Sequence, residues 1–394
     1  MSLAKKITFI IVVNLVFLTL LEISSKIFLR IINKPLLYSV ENINTNRYDF
    51  LTGYFNSPNQ DEFFFNNKHY KQAIDNYGFN IDGNKKPKNL LLKNKNEFRI
   101  FILGGSTVQG RNLLDRFDPI SARIEKKLNE NLGYLKNFNV FNTGSGGFIS
   151  SQELSLIQYR INYSLKPDLI IILNGSNDAT SRFSETFYLS NSHPYQENFQ
   201  KNLEKNSKNL FYFIDDWFSK NYSTYFLLKK TIEKITGTYL FDKKSRSYFE
   251  TSLNSLEITE NKSYRYLYNM KILKNISNKK TPIFLFLQPQ MLTENYKDLS
   301  SNDKYIYDNK KKINPNYFNR KELFYKSIIE KINTNNLDEG NDNFKFFDLS
   351  KILDTNKEHS MYSDHVHYTP FSREQISDHI YSEVYKYFMN TINK

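Results

Sequence analysis

The chain has no cysteine. That removes disulfides, thiolate zinc sites and cysteine-linked lipid anchors, and it leaves the redox compartment open. No stretch gathers Arg and Lys into a groove-like stripe, so no nucleic-acid surface is expected despite a net charge of +13. Asn-Lys strings run through the whole sequence, and the charge reads as a general drift toward Lys, Asn and Ile. An acidic glycan or a membrane surface remains compatible with it. There is no internal repeat. No charge interrupts Ile7–Leu21, and no small-residue cleavage site follows it, the next residues being Glu22-Ile23-Ser24-Ser25-Lys26.

At 394 residues, 40% hydrophobic and 24% charged, the chain is long enough to bury a sizeable core. The apolar run Ile7–Leu21 sits behind Lys5 and Lys6. As a helix it would span roughly 22 Å, against a hydrocarbon core of about 30 Å. Continuing through Ile23, Ile27 and Phe28 makes up the length, with Glu22 and Lys26 near the interface. The expectation is an uncleaved signal anchor over residues 1–34, a single-pass membrane helix with the rest of the chain on the extracytoplasmic side. Lys26, Arg30 and Lys34 partly balance the amino-terminal charges, so the orientation signal is shallow. Residues 35–92 are polar, aromatic-rich and poorly periodic, and read as a membrane-proximal segment.

A main domain is expected over residues 93–394. Phe98–Leu103, Val140–Phe141, Leu169–Leu173, Ile283–Leu287 and Phe344–Phe347 are short apolar runs of the kind that form buried parallel strands. Ile120, Ile124, Leu128 and Leu132 share one face of a helix, and further helices are expected over Glu153–Ser164 and from about Arg373. Residues 181–280 break this rhythm, being Lys- and aromatic-rich and mostly helical in pattern, and read as an insertion. The alternation predicts a three-layer α/β/α domain with a flavodoxin-like parallel sheet.

Four short segments carry the chemistry. Gly104-Gly105-Ser106-Thr107 stops the first strand and precedes a predicted helix, which places the Ser106 hydroxyl at the carboxyl edge of the sheet. Asn142-Thr143-Gly144-Ser145-Gly146-Gly147 follows the second strand, and with Ile149 where a dinucleotide fingerprint needs glycine it fails as one. Gly175-Ser176-Asn177-Asp178 closes the third strand and points a side-chain amide into the same crevice. Asp364-His365-Val366-His367 offers an imidazole with a carboxylate three residues before it. On a helical turn that spacing would put both on one face.

In that order the four segments resemble the SGNH (GDSL-type) hydrolase superfamily, over roughly residues 97–180 and 280–390. Asn76-Tyr77-Gly78-Phe79 is similar to an element preceding the catalytic block in membrane-anchored members. Gly-Gly-Ser stands where the family form is Gly-Asp-Ser, and Phe371-Ser372 where Gly-Asn is common. The resemblance implies Ser106 as nucleophile, His367 as base and Asp364 as its orienter. It implies an oxyanion hole of the Ser106 and Gly147 amides and the Asn177 side chain. His365 is off register and receives no role, and neither does Gln288, after the fourth strand. His359, His365 and His367 lack the spacing of a helical metal site, so neither metal nor cofactor is expected. The implied activity is ester hydrolysis through an acyl-serine, on an acylated small molecule or glycan. Transfer of the acyl group to a sugar hydroxyl on an envelope glycan is an alternative, as is an inactive membrane-anchored glycan-binding module.

Overall fold

The computed structural model describes residues 3–31, 46–49, 53–56, 63–65, 68–70, 73–82, 90–110, 118–180, 218, 222–236, 255–277, 281–337, 342–353 and 357–392. Two compact units divide the chain. One holds residues 1–44, 63–69 and 198–249, the other residues 45–62, 70–197 and 250–394.

The larger unit is built on a seven-stranded sheet. Its strands are β1 (Ala73–Ile74), β2 (Asn80–Ile81), β3 (Glu97–Gly104), β4 (Asn137–Asn142), β5 (Leu169–Asn174), β6 (Ile283–Leu287) and β7 (Phe344–Asp348), in the spatial order β7-β6-β5-β3-β4-β2-β1. The five strands β3 to β7 are parallel, and β1 and β2 form an antiparallel hairpin on the β4 edge. Counted alone, the parallel strands run in the flavodoxin-like order. That order reverses at β3, so a crevice opens beyond the carboxyl ends of β3 and β5.

Alternation along each strand sends side chains to two separate cores. Phe101, Leu103, Ile170, Ile172, Ile283, Leu285 and Leu287 face one layer. That layer is roofed by Leu154, Leu156, Ile157 and Ile161 and by α7 (Ser255–Ser277) and α9 (Tyr317–Thr334). Ile100, Ile102, Ile171, Leu173, Phe284 and Phe286 face the other, under α3 (Ile120–Leu132) and α10 (Pro370–Ile392). Ile120, Ile124, Leu128 and Leu132 all lie in that second core, as their spacing predicts. Each such fully buried aliphatic contributes about 2 kcal/mol by leaving water.

Three boundaries differ from the sequence reading. The hairpin β1–β2 lies within residues 35–92, yet its backbone joins the sheet, so the main fold starts before residue 93. The segment assigned to an insertion at 181–280 includes α7, whose Tyr266, Leu267, Met270 and Leu273 are core residues; much of the remainder lies outside the described residues. The helix expected over Glu153–Ser164 begins earlier, as α4 (Ser150–Leu156), and continues through a π-helical turn at Ile157–Ile161 to Ser164.

In the smaller unit, α1 (Leu3–Ile31) covers most of the expected anchor. Among the described residues no helix is long and apolar enough to cross a membrane; the side chains at positions 7, 10, 11 and 29 of α1 lie outside them. Within this unit Glu22 caps α6 (Ser223–Thr236), accepting from the Ser223 amide at 2.8 Å and from the Thr224 amide at 3.0 Å.

Candidate active site

Ser106 opens α2 (Ser106–Gln109), a single turn directly after β3. The helix is too short for much of a macrodipole, so what it offers is its first backbone N–H groups. Ser106 Oγ lies 2.8 Å from His367 Nε2, and His367 Nδ1 lies 2.6 Å from Asp364 Oδ2. Asp364 Oδ1 accepts from the amides of Val366 and His367, each at 2.8 Å. Residues 106, 364 and 367 therefore form one continuous hydrogen-bonded line. Burial presses the Asp364 carboxyl upward, but the hydrogen bond and charge of His367 and these two amides outweigh it and hold the group well below the usual carboxylate range.

The helical turn expected for Asp364–His367 is not what forms. These residues make a tight bend closed by a bridge between Tyr362 and Tyr368, with the Ser363 amide donating to the His367 carbonyl at 2.8 Å. Asp364 acts as the Asx residue of that bend, which brings its carboxylate beneath its own imidazole partner. His365 points elsewhere, edge-on to Tyr317 with ring centroids 5.3 Å apart. His359 packs against Phe371 at 4.7 Å, and among the described residues no group of three His, Asp or Glu side chains is placed to hold a metal ion. Ser372 donates to the Met361 carbonyl at 2.6 Å, so the Phe371-Ser372 departure from the family form still ties α10 to this loop.

Asn177 lies on α5 (Ser176–Thr180), a turn after β5, and its Nδ2 donates to the Phe148 carbonyl at 2.8 Å. A Cβ on Gly105 would collide with that same Nδ2, so glycine at 105 is what lets the amide lie against the backbone beside Ser106. Gly147 sits in the turn closed by the Phe148 amide on the Ser145 carbonyl, at φ +80, where a side chain would be strained. The other two serines of the glycine-rich segments are poor nucleophiles. Ser145 is fully buried, and Ser176 is buried with its hydroxyl on Gln290 Oε1. Gln288 is also buried, and its Nε2 holds the Tyr368 hydroxyl at 3.1 Å.

Several residues that hold the site were not visible in the sequence. Asp178 takes the Ser150 hydroxyl at 2.6 Å and the Ser150 amide at 3.1 Å, joining the Gly147 loop to the Asn177 turn. Asn56 and Asn80 each donate to the Gly144 carbonyl, at 3.0 and 2.9 Å. Asp303, near the start of α8 (Ser301–Ile313), accepts from the Ser360 hydroxyl and the Met361 amide at 2.8 Å each, clamping the root of the Asp364–His367 bend. A helix-start signal, Ser300 three residues before Asp303, is legible; its second use on a loop 57 residues away is not.

No protein-family model and no curated protein matches the chain. Among solved structures it is similar to a catalytic mutant of an acetylxylan esterase from Geobacillus stearothermophilus, with 11% identity, covering 73% of this chain and 94% of that one at a TM-score of 0.38. It is similar to a lipase from a goat rumen metagenome, with 13% identity, 72% and 96% coverage and a TM-score of 0.38. A third is an α/β hydrolase enzyme from the metagenome of Lake Arreo, Spain, with 10% identity, 73% and 94% coverage and a TM-score of 0.36. Overlaps this loose decide neither reaction nor substrate, and the chemistry rests on the site itself.

Proposed function

We propose that the protein is a serine esterase of the SGNH type, working through an acyl-serine. The observation that carries this reading is the Ser106–His367–Asp364 line, with contacts of 2.8 and 2.6 Å, ending beside the Asn177 amide. Ser106 Oγ attacks the ester carbonyl while His367 Nε2 takes its proton. Asp364 holds the Nδ1–H tautomer that leaves Nε2 free to act as base. The developing oxyanion is met by the Ser106 and Gly147 amides and by Asn177 Nδ2, donors worth about a hundredfold or more each when removed singly. His367 returns the proton to the departing alcohol. Water then repeats the sequence on the acyl-serine and releases the acid. No step in this scheme requires a cofactor or metal.

On the motif resemblance, the ester is an acyl or acetyl group on a carbohydrate. The test is turnover of p-nitrophenyl esters of increasing chain length by the full chain and by Ser106→Ala, with a sugar added as acceptor in parallel. Hydrolysis present in the first and lost in the second is expected. Equal rates in both would refute the reading. Acyl sugar accumulating in place of free acid would replace hydrolysis by transfer on the same triad.

We further infer that α1 anchors the chain in a membrane without being cleaved. Phe9, Val12, Val13, Leu15, Val16, Phe17 and Leu18 are all exposed. At 100° per residue, positions 15 to 18 alone cover every side of the helix, and a helix apolar all round suits a bilayer better than water. Fractionation of expressing cells with amino-terminal sequencing of the product is expected to give a membrane-bound chain retaining residues 1–34. A soluble product beginning near residue 25 would make the segment a cleaved signal.

A further inference from the structure

Within reach of the triad carboxylate's charge lies a set of donors and cations, Lys310, Tyr317, Lys321 and His365. Lys310 Nζ lies 4.4 Å from the Tyr317 ring centroid and Lys321 Nζ lies 4.7 Å from it. The His365 ring stands edge-on to the same tyrosine. Lys321 is fully buried and donates to Gln290 Oε1. Among the described residues no carboxylate forms an ion pair with Lys310 or Lys321. The acid whose charge reaches both is Asp364, and it is already engaged by His367.

A buried ammonium without a counter-ion is costly, and an anion brought beside it offsets that cost. Burial, and after it the charge of Lys310, draw Lys321 down to about 7. Burial, and after it the charges of Lys310 and Lys321, draw His365 down to about 4, so at neutral pH its ring is uncharged and still carries one N–H donor. Lys310, Tyr317 and His365 are each only partly buried and can meet a ligand.

We propose that Lys310, Tyr317 and His365, backed by Lys321, form a subsite for a carboxylate carried by the ester substrate. The carboxylate accepts from the Lys310 ammonium, the Tyr317 hydroxyl and the His365 ring N–H, and adds a negative charge that favours the protonated form of Lys321. The substrate class this fits is an acylated acidic sugar, with the ester at Ser106 and the sugar acid lying past His367. The proposal rests on the esterase reading and narrows its substrate.

The test compares kcat/KM of the full chain for O-acetylated glucuronate and O-acetylated glucuronamide, which differ in charge and hardly in shape. A preference of about tenfold for the glucuronate is expected, from one charge-assisted contact. It should weaken as salt is raised. Lys310→Gln should bring the ratio close to one through KM, Lys310→Arg should keep most of it, and Tyr317→Phe should lower it partway. A wild-type ratio of one with p-nitrophenyl acetate still hydrolysed overturns the subsite alone, as does a preference that Lys310→Gln leaves intact. No hydrolysis of any ester by the wild type overturns the esterase reading and the subsite with it.

Discussion

Replacing His367 with alanine is expected to lower the acylation rate by at least about a thousandfold while the protein stays folded. The imidazole is the only base in contact with Ser106 Oγ among the described residues. Its ring nitrogens meet Ser106 and Asp364, while the bend that carries it is held by Asp303, Ser372 and the Tyr362–Tyr368 bridge. His365→Ala should fall far short of that loss, because its ring is turned to Tyr317 and away from the serine. Acylation measured in the first turnover, with circular dichroism on each variant, separates the two. A folded His367→Ala at full rate, or a His365→Ala as inactive as Ser106→Ala, would mean that the base is elsewhere.

Asp364→Asn should cost less than His367→Ala but still lower the rate clearly. The new side chain can still accept from the Val366 and His367 amides, so the bend is kept. What changes is the atom facing Nδ1. An amide nitrogen there donates instead of accepting, and this fixes the tautomer with Nε2 protonated, which cannot take the Ser106 proton. The comparable change in serine proteases costs about four orders of magnitude. A backbone carbonyl can take over part of the carboxylate's role, so a drop between about tenfold and that limit is expected, with KM little changed. Loss confined to KM, or a variant that unfolds as readily as a core truncation, would assign Asp364 to binding or folding.

The fold was legible wherever a run of like residues carried the signal. Leu169–Leu173 and Ile283–Leu287 could be read as strands because they are apolar on both faces, and both are buried on both faces of the sheet. The four chemical segments were legible because glycines and polar groups punctuate strand ends. What failed was single polar residues acting at long range. Asn56, Asn80, Asp178 and Asp303 have no periodicity to announce them, and their partners lie 28 to 88 positions away. The hairpin at 73–81 was hidden by its shortness, two residues per strand. The core role of α7 was masked by its lysines and tyrosines, although Tyr266, Met270 and Leu273 follow a helical spacing.

The most direct measurement for the whole account is the position of a covalent adduct. The full chain is treated with a fluorophosphonate, digested, and its labelled peptide is read by mass spectrometry. Ser106 is predicted to carry the label, since its hydroxyl alone among the three glycine-flanked serines meets an imidazole, and Ser106→Ala is predicted to remain unlabelled. An adduct on Ser145 or Ser176, or labelling that persists in Ser106→Ala, would contradict it.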